Sequence, residues 1–187
     1  IDIIIGTQVI AKGLDLPKLH TVGVVQADAG LSLPDYTATE RTFQLLAQVV
    51  GRVGRTANDS HIIIQTYQPD SPAVRLGINQ DYETFYEAAL TERRRAVFPP
   101  FTYLLKLTCI YKTEAATIRN AQKLAAFIRE SYPTATLLGP TPAFYERQHD
   151  TYRWQIIVKS NQRATLVEIA KNLPPGWQFD LDPMTLL

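Results

Sequence analysis

Short apolar runs alternate with helical stretches over the first third of the chain. Ile1–Ile5, Thr21–Gln26 and Ile62–Thr66 are apolar almost throughout, the pattern of strands covered on both faces of a parallel sheet. Between the second and third of these runs, Tyr36 to Val53 reads as a helix. Ser71-Pro72 predicts a capped helix start with a first-turn proline, and Asp81 predicts another. The helix from Asp81 carries Tyr82, Phe85, Tyr86, Ala89 and Leu90 at helical spacing and closes near Arg93-Arg94-Arg95, before Pro99-Pro100. That double proline is the expected domain boundary, giving residues 1–98 and 99–187.

After the boundary the pattern predicts a strand at Tyr103–Tyr111, a helix at Thr113–Tyr132 and a short strand near Ala135–Leu138. A strand at Arg153–Lys159, a helix at Gln162–Asn172 and a strand at Gln178–Leu181 follow. The order β-α-β-β-α-β is the split, ferredoxin-like motif. The expected fold is therefore α/β, a partial parallel sheet followed by an α+β domain.

Composition narrows the classes further. The 187 residues are 45% hydrophobic and 20% charged, which places the chain among folded proteins and outside disordered and collagen-like ones. Nineteen Lys and Arg against eighteen Asp and Glu leave a net charge of +1, so a nucleic-acid surface here must be a local patch. A single cysteine, Cys109, excludes an internal disulfide or a zinc site built from several cysteines and points to a reducing compartment. No apolar run approaches the roughly 20 residues of a membrane span, and no signal-peptide pattern opens the chain. The start lacks methionine and reads as mid-strand, so a piece of a longer protein is expected.

The most informative stretch is the helix from Tyr36. At about 100° per residue, Arg41, Gln44, Arg52 and Arg55 fall within about 40° of Gln48. Phe43, Leu46, Val49, Val50 and Val53 fall on the opposite side. Arginines beside Gly51 and Gly54 allow close approach to a polyanion, and planar guanidinium groups suit phosphate oxygens. The alternative is an ordinary solvated face of an amphipathic helix.

The company this helix keeps favours the first reading. Gln48-Val49-Val50-Gly51-Arg52-Val53-Gly54-Arg55 resembles motif VI of superfamily 2 helicases. Gly6-Thr7-Gln8 followed by Ala11-Lys12-Gly13-Leu14-Asp15-Leu16-Pro17 resembles motif V. Asp28-Ala29-Gly30-Leu31, Pro34-Asp35-Tyr36, Glu40-Arg41-Thr42-Phe43-Gln44, Gln65-Thr66-Tyr67, Phe98-Pro99-Pro100-Phe101, Gly139-Pro140 and Asp180-Leu181-Asp182-Pro183 narrow the resemblance. Together they resemble the PriA family of primosomal replication-restart helicases.

That resemblance implies the later part of a second RecA-like lobe, followed by a C-terminal domain similar to ribosomal protein S10. It implies a parent enzyme that uses ATP and Mg²⁺ to unwind DNA in the 3′ to 5′ direction at abandoned replication forks and to load the primosome. The phosphate-binding loop, the Mg²⁺-holding acidic motif and the zinc-binding cysteines would lie outside this chain, which should be inactive alone and bind no metal. By resemblance, Arg52 and Arg55 reach the ATP phosphates, with Arg55 as the finger and Gln48 as a polar contact. Asp15 contacts the nucleotide ribose or these arginines, or is simply a turn residue before Pro17. Gly6 and Thr7 would meet a DNA phosphate through backbone amide and hydroxyl, with Lys12 serving DNA or solvent. Expected partners are forked and single-stranded DNA, single-stranded-DNA-binding protein and other primosome proteins, with no membrane. The expected location is the bacterial cytoplasm, at the nucleoid. A non-catalytic DNA- and protein-binding scaffold is the competing reading.

Other candidates are weaker. Asp28, Asp35 and Glu40 are not clustered, and Asp35 is placed to cap the following helix. His20, His61 and His149 are scattered. Arg93, Arg94 and Arg95 would offset a helix dipole, with DNA contact second. Arg147, His149, Arg153 and Lys159 form a basic run mixed with Tyr145, Tyr152 and Trp154, suited to stacking bases and meeting phosphates, although alternation sends Trp154, Ile156 and Val158 to a core face. Arg163 stands at a helix start, unfavourable for a cation. The family resemblance assigns its counterpart to the acidic tail of single-stranded-DNA-binding protein, with Val167 where a polar residue would be expected.

Overall fold

The computed structural model describes residues 3–7, 19–51 and 61–187. It shows an α/β chain of two compact units, residues 1–33 with 37–92, and residues 34–36 with 93–187. The division at Glu92–Arg93 lies inside a helix, ahead of the double proline.

In the first unit, β1 (Thr21–Val24) and β2 (His61–Ile64) pair in parallel, with Thr21 opposite His61 and Val24 opposite Ile64. Hydrogen bonds from Gln65 N to Val24 O (2.9 Å) and from Ala27 N to Gln65 O (3.0 Å) carry the pairing past β1. Exposed and half-buried positions alternate along both strands, where both faces were expected to be covered. Residues 3–7 form no strand, and Ile3 and Ile5 are exposed, contrary to the strand expected at Ile1–Ile5. An apolar run becomes a buried strand only where neighbours take up its hydrogen bonds and faces. Among the described residues the parallel sheet holds two strands.

The helix α1 (Ala38–Val50) buries Thr42, Phe43, Leu46 and Val49, one stripe at helical spacing. It is shorter than the Tyr36–Val53 expected. Thr37 stands at its N-cap rather than Asp35, whose Oδ2 accepts the Thr185 hydroxyl (2.6 Å). The helix α2 (Pro72–Asn79) starts where expected, with Ser71 at the N-cap and Pro72 in the first turn, but the Ser71 side chain makes no capping hydrogen bond. It packs on α1 at Gly77, where an added Cβ would lie 3.0 Å from Leu46 Cβ and 3.2 Å from Phe43 O. Glycine permits that approach. The helix α3 (Tyr82–Ala96) follows Asp81, whose Oδ1 accepts Thr84 N (3.1 Å); hydrogen bonds from the Thr84 side chain and then its backbone lower the carboxyl pKa. Phe43, Ala73, Leu76 and Phe85 form the helical core, with Phe43 and Phe85 stacked at 4.0 Å.

The second unit follows the expected order. β3 (Tyr103–Tyr111), α4 (Glu114–Ser131), β4 (Thr136–Gln148), β5 (Thr151–Ser160), α5 (Arg163–Lys171) and β6 (Trp177–Leu181) build an antiparallel sheet ordered β4-β5-β3-β6. Thr113 caps α4 by accepting Ala116 N. Leu105 and Leu107 of β3, Ile156 and Val158 of β5, Leu124 and Ile128 of α4, and Leu166 and Ile169 of α5 form its main core. Cys109 is fully buried, and burial pushes its thiol up to about 11, which makes it a packing residue.

Two departures matter for the surface. First, β4 is much longer than the Ala135–Leu138 expected, because Gly139, Pro140 and Pro142 sit at register shifts of an edge strand, where a missing N–H costs little. Gly139 has φ +91°, a conformation that favours glycine. Second, the opposite face of the sheet is also covered in part. Leu104, Ile157 and Leu186 are buried there, with the half-buried Tyr36 and Phe98 packed against them. Tyr36 stacks on Phe98 (5.1 Å), and its hydroxyl donates to Pro183 O (2.7 Å).

Candidate functional site

The expected nucleotide site rests on the exit of α1. The helix ends at Val50, and Gly51 is its C-cap. Gln80, in the left-handed conformation that ends α2 (φ 54°), donates from Nε2 to Ala47 O (3.0 Å). Ala47 O also accepts Gly51 N (3.0 Å), so the Gln80 side chain is a second partner of that carbonyl and ties the end of α2 to the last turn of α1. Gln48 is half-buried in that last turn, while Arg41 and Gln44 are exposed. Arg52 and Arg55, together with Lys12 and Asp15, lie outside the described residues. Gly6 and Thr7 are exposed in irregular backbone.

The sequence reading sets Asp28 aside as an unclustered carboxylate, and the structure gives it a role. It is buried, and its Oδ2 accepts Tyr67 N (3.3 Å), which ties the end of β1 to the loop after β2. A carboxylate in a turn carries no burial signal of its own, so only the fold reveals this role. Among the described residues no three His, Cys, Asp or Glu side chains converge, and no helix is long and apolar enough to cross a membrane.

In the second unit the structure breaks up the expected basic run. Lys159 is 7% exposed; its Nζ donates to Ala96 O (2.9 Å) and lies 3.5 Å from the centre of the Phe98 ring. Burial lowers its pKa. A side chain so enclosed is a structural clamp on the end of α3 and cannot be part of a surface cluster. Val97 beside it stands at φ 52°, and Arg93 Nη1 donates to Pro99 O (2.6 Å) across it. A β-branched residue there costs roughly 1–2 kcal/mol. Arg93 also lies over Tyr36, at 4.9 Å, and Arg94 over Phe101, at 4.8 Å. Arg93 and Arg94 therefore pack on aromatic rings as well as closing the helix.

Arg153 is half-buried and stands opposite Ile110 on the sheet face away from α4 and α5. Arg147 and His149 are exposed at the β4–β5 hairpin, and Arg147 lies 5.6 Å from the Tyr152 ring centre. Lys106 donates from Nζ to Leu187 O (2.5 Å), and burial lowers its pKa. Arg163 does stand in the first turn of α5, and the structure supplies the reason. Its Nε donates to Asp182 Oδ2 (2.9 Å), an ion pair that offsets the unfavourable dipole. Asp182 also exchanges backbone contact with β3, its N–H donating to Leu104 O (2.8 Å). Val167 is half-buried one turn later.

Charge is distributed unevenly, a feature that the whole-chain balance conceals. Residues 93–187 hold thirteen Lys and Arg against seven Asp and Glu, and residues 1–92 hold six against eleven. With Asp35 counted, the second unit keeps a surplus of five positive charges. Such a surplus raises the local concentration of polyanions.

Comparison with known proteins agrees with these features. The family model of the primosomal protein N C-terminal domain matches residues 94–184. Replication restart protein PriA of Bacillus subtilis is 41% identical over 182 residues, covering 97% of this chain and 23% of that protein. Its namesake in Synechocystis is 35% identical over 192 residues, covering 99% and 23%. That of Treponema pallidum is 35% identical over 196 residues, covering 100% and 30%. The chain thus spans about a quarter of the length of the curated relatives it matches. Since the likeness runs through both units, from the parallel strand pair to the basic antiparallel sheet, the chain belongs to the family of replication restart protein PriA.

Proposed function

We propose that this chain is part of an ATP-dependent DNA helicase that unwinds in the 3′ to 5′ direction, restarts stalled forks and loads the primosome. Residues 1–98 would complete a RecA-like lobe, and residues 99–187 would form an S10-like domain that binds DNA and protein. The observation that carries the reading is the Gln48–Arg55 sequence, whose first three residues close a helix packed beside a parallel strand pair in a PriA-family chain. The exposed Ile63 and Val25 beside that pair agree with a lobe completed by further chain.

In this reading Arg52 and Arg55 neutralise charge on the ATP phosphates, and Gln48 adds a polar contact. The half-buried Gln48, in a turn pinned by Gln80, fits such a role. Asp15 orients the arginines or the ribose. Gly6, Thr7 and Lys12 hold a DNA phosphate, and Arg153 adds a contact in the second domain. ATP with Mg²⁺ supplies the phosphoryl chemistry in the full-length parent. Zinc would be held elsewhere in that parent, as the family resemblance implies, with Cys109 buried in the core. Arg163 would accept an acidic tail of single-stranded-DNA-binding protein by exchanging it for Asp182. The setting would be the bacterial cytoplasm, at the nucleoid.

A scaffold without catalysis is the second reading, favoured by the match of the C-terminal-domain model to residues 94–184. Unwinding by the full-length parent separates the two. A forked duplex with a 3′ single-stranded tail should be opened with ATP and Mg²⁺, and not with a non-hydrolysable analogue. Tight fork binding without unwinding would favour the scaffold.

A further inference from the structure

The β4–β5 hairpin carries a feature that the fold does not require. Between the pairs Pro142↔Trp154 and Arg147↔Tyr152, four residues intervene on β4 and one, Arg153, on β5. The excess must leave the ladder, so Ala143, Phe144, Tyr145 and Glu146 form a large bulge on an edge strand. Bulges of this kind re-aim side chains. Here they aim two aromatic rings outward, Phe144 43% and Tyr145 66% exposed, although the main core of the same unit is closed without them. The rings meet edge to face at 5.0 Å and 80°, so they cannot belong to one continuous stack, and each keeps a face for a separate planar partner.

The surroundings indicate which partner. Arg147, two residues along the strand from Tyr145, is exposed and held over Tyr152 at 5.6 Å, a cation with part of its side-chain freedom already spent. Glu146 and Asp150 stand against Arg147 and Arg153 along the hairpin, which leaves it close to neutral locally. The net surplus of five positive charges belongs to the unit as a whole. A duplex, with dense phosphates and its bases already stacked, gains little from such a tip. An unpaired strand gains stacking on the rings, a phosphate contact from Arg147 and long-range attraction from the unit.

We propose that the Ala143–Glu146 bulge is a base-stacking site for single-stranded nucleic acid, with Phe144 and Tyr145 as platforms and Arg147 as its phosphate contact. This rests on the reading of the second unit as a DNA-binding domain and deepens it. The test is the fluorescence anisotropy of a labelled oligothymidylate titrated with the full 187-residue chain. The double substitution Phe144→Leu with Tyr145→Leu keeps apolar bulk and removes the π faces; it should weaken binding about tenfold or more. Tyr145→Trp should retain the wild-type affinity. Thermal melting checks folding, and both exposed substitutions should leave it unchanged. Wild-type affinity in the double leucine variant would overturn the stacking site and leave the DNA-binding reading standing. Equal competition by a blunt duplex would overturn the commitment to single strands. No binding by the wild-type chain would remove the DNA-binding reading itself, and the site with it.

Discussion

Arg55→Ala in the full-length parent is expected to lower DNA-stimulated ATP hydrolysis by roughly 10³-fold or more, the range of arginine fingers. The expectation follows from the proposed placement of a permanently charged, planar group against a phosphoryl group whose charge spreads during transfer. Arg52→Ala should also be severe. DNA affinity without nucleotide should change little in either variant, because the lost contact is to ATP. Steady-state turnover paired with nucleotide-free DNA binding checks both statements. A variant that hydrolyses ATP normally but no longer holds DNA would assign these arginines to the nucleic acid.

Ile157→Ala should destabilise the second unit by about 2–4 kcal/mol, as much as the same change at Ile156. Simple alternation along β5 would assign Ile156 to the core and Ile157 to solvent, and so a large loss at one and almost none at the other. The structure buries both. Ile156 packs against the two helices, and Ile157 is 5% exposed beneath Leu186, Tyr36 and Phe98. Denaturant unfolding of the two variants measures the difference. A loss below about 0.5 kcal/mol at Ile157, the usual size at a surface position, would mean that the second face is open in solution.

The contrast shows what could be read from the residues. The six elements of the second unit were legible because local signals agree. Thr113 offers its side chain to a helix start, and β3 keeps its apolar run across the width of the sheet. The length of β4 was not legible. Gly139, Pro140 and Pro142 read as breakers, and only the edge position of the strand makes them harmless. Ile1–Ile5 misled in the opposite sense, since its apolar run presupposes neighbouring strands that the described residues do not supply.

Site residues divide in the same way. The Gln48–Arg55 segment is assigned from its spacing and its resemblance, whereas the bond from Gln80 to the last turn of α1 joins residues 33 positions apart and leaves no local pattern. The Arg163–Asp182 pair is similar, since a cation at a helix start looked anomalous until the turn after β6 supplied its carboxylate. Lys159 looked like a surface cation because of its type; its burial against Phe98 depends on chain more than sixty residues away. The basic surplus of the second unit was present in the residues throughout, hidden by an acidic first unit that cancels it.

The central claim is that this chain supplies the arginine-bearing part of an ATP-driven DNA motor and cannot run it alone. Its most direct test is ATP turnover with and without forked DNA, measured side by side on the 187-residue chain and on the full-length parent. The account predicts DNA-stimulated turnover in the parent and none in the chain, which holds no Gly-x-x-x-x-Gly-Lys-Ser/Thr phosphate-binding loop. A full-length parent that binds forks yet hydrolyses no ATP, or an isolated chain that turns over ATP with Mg²⁺, would contradict it.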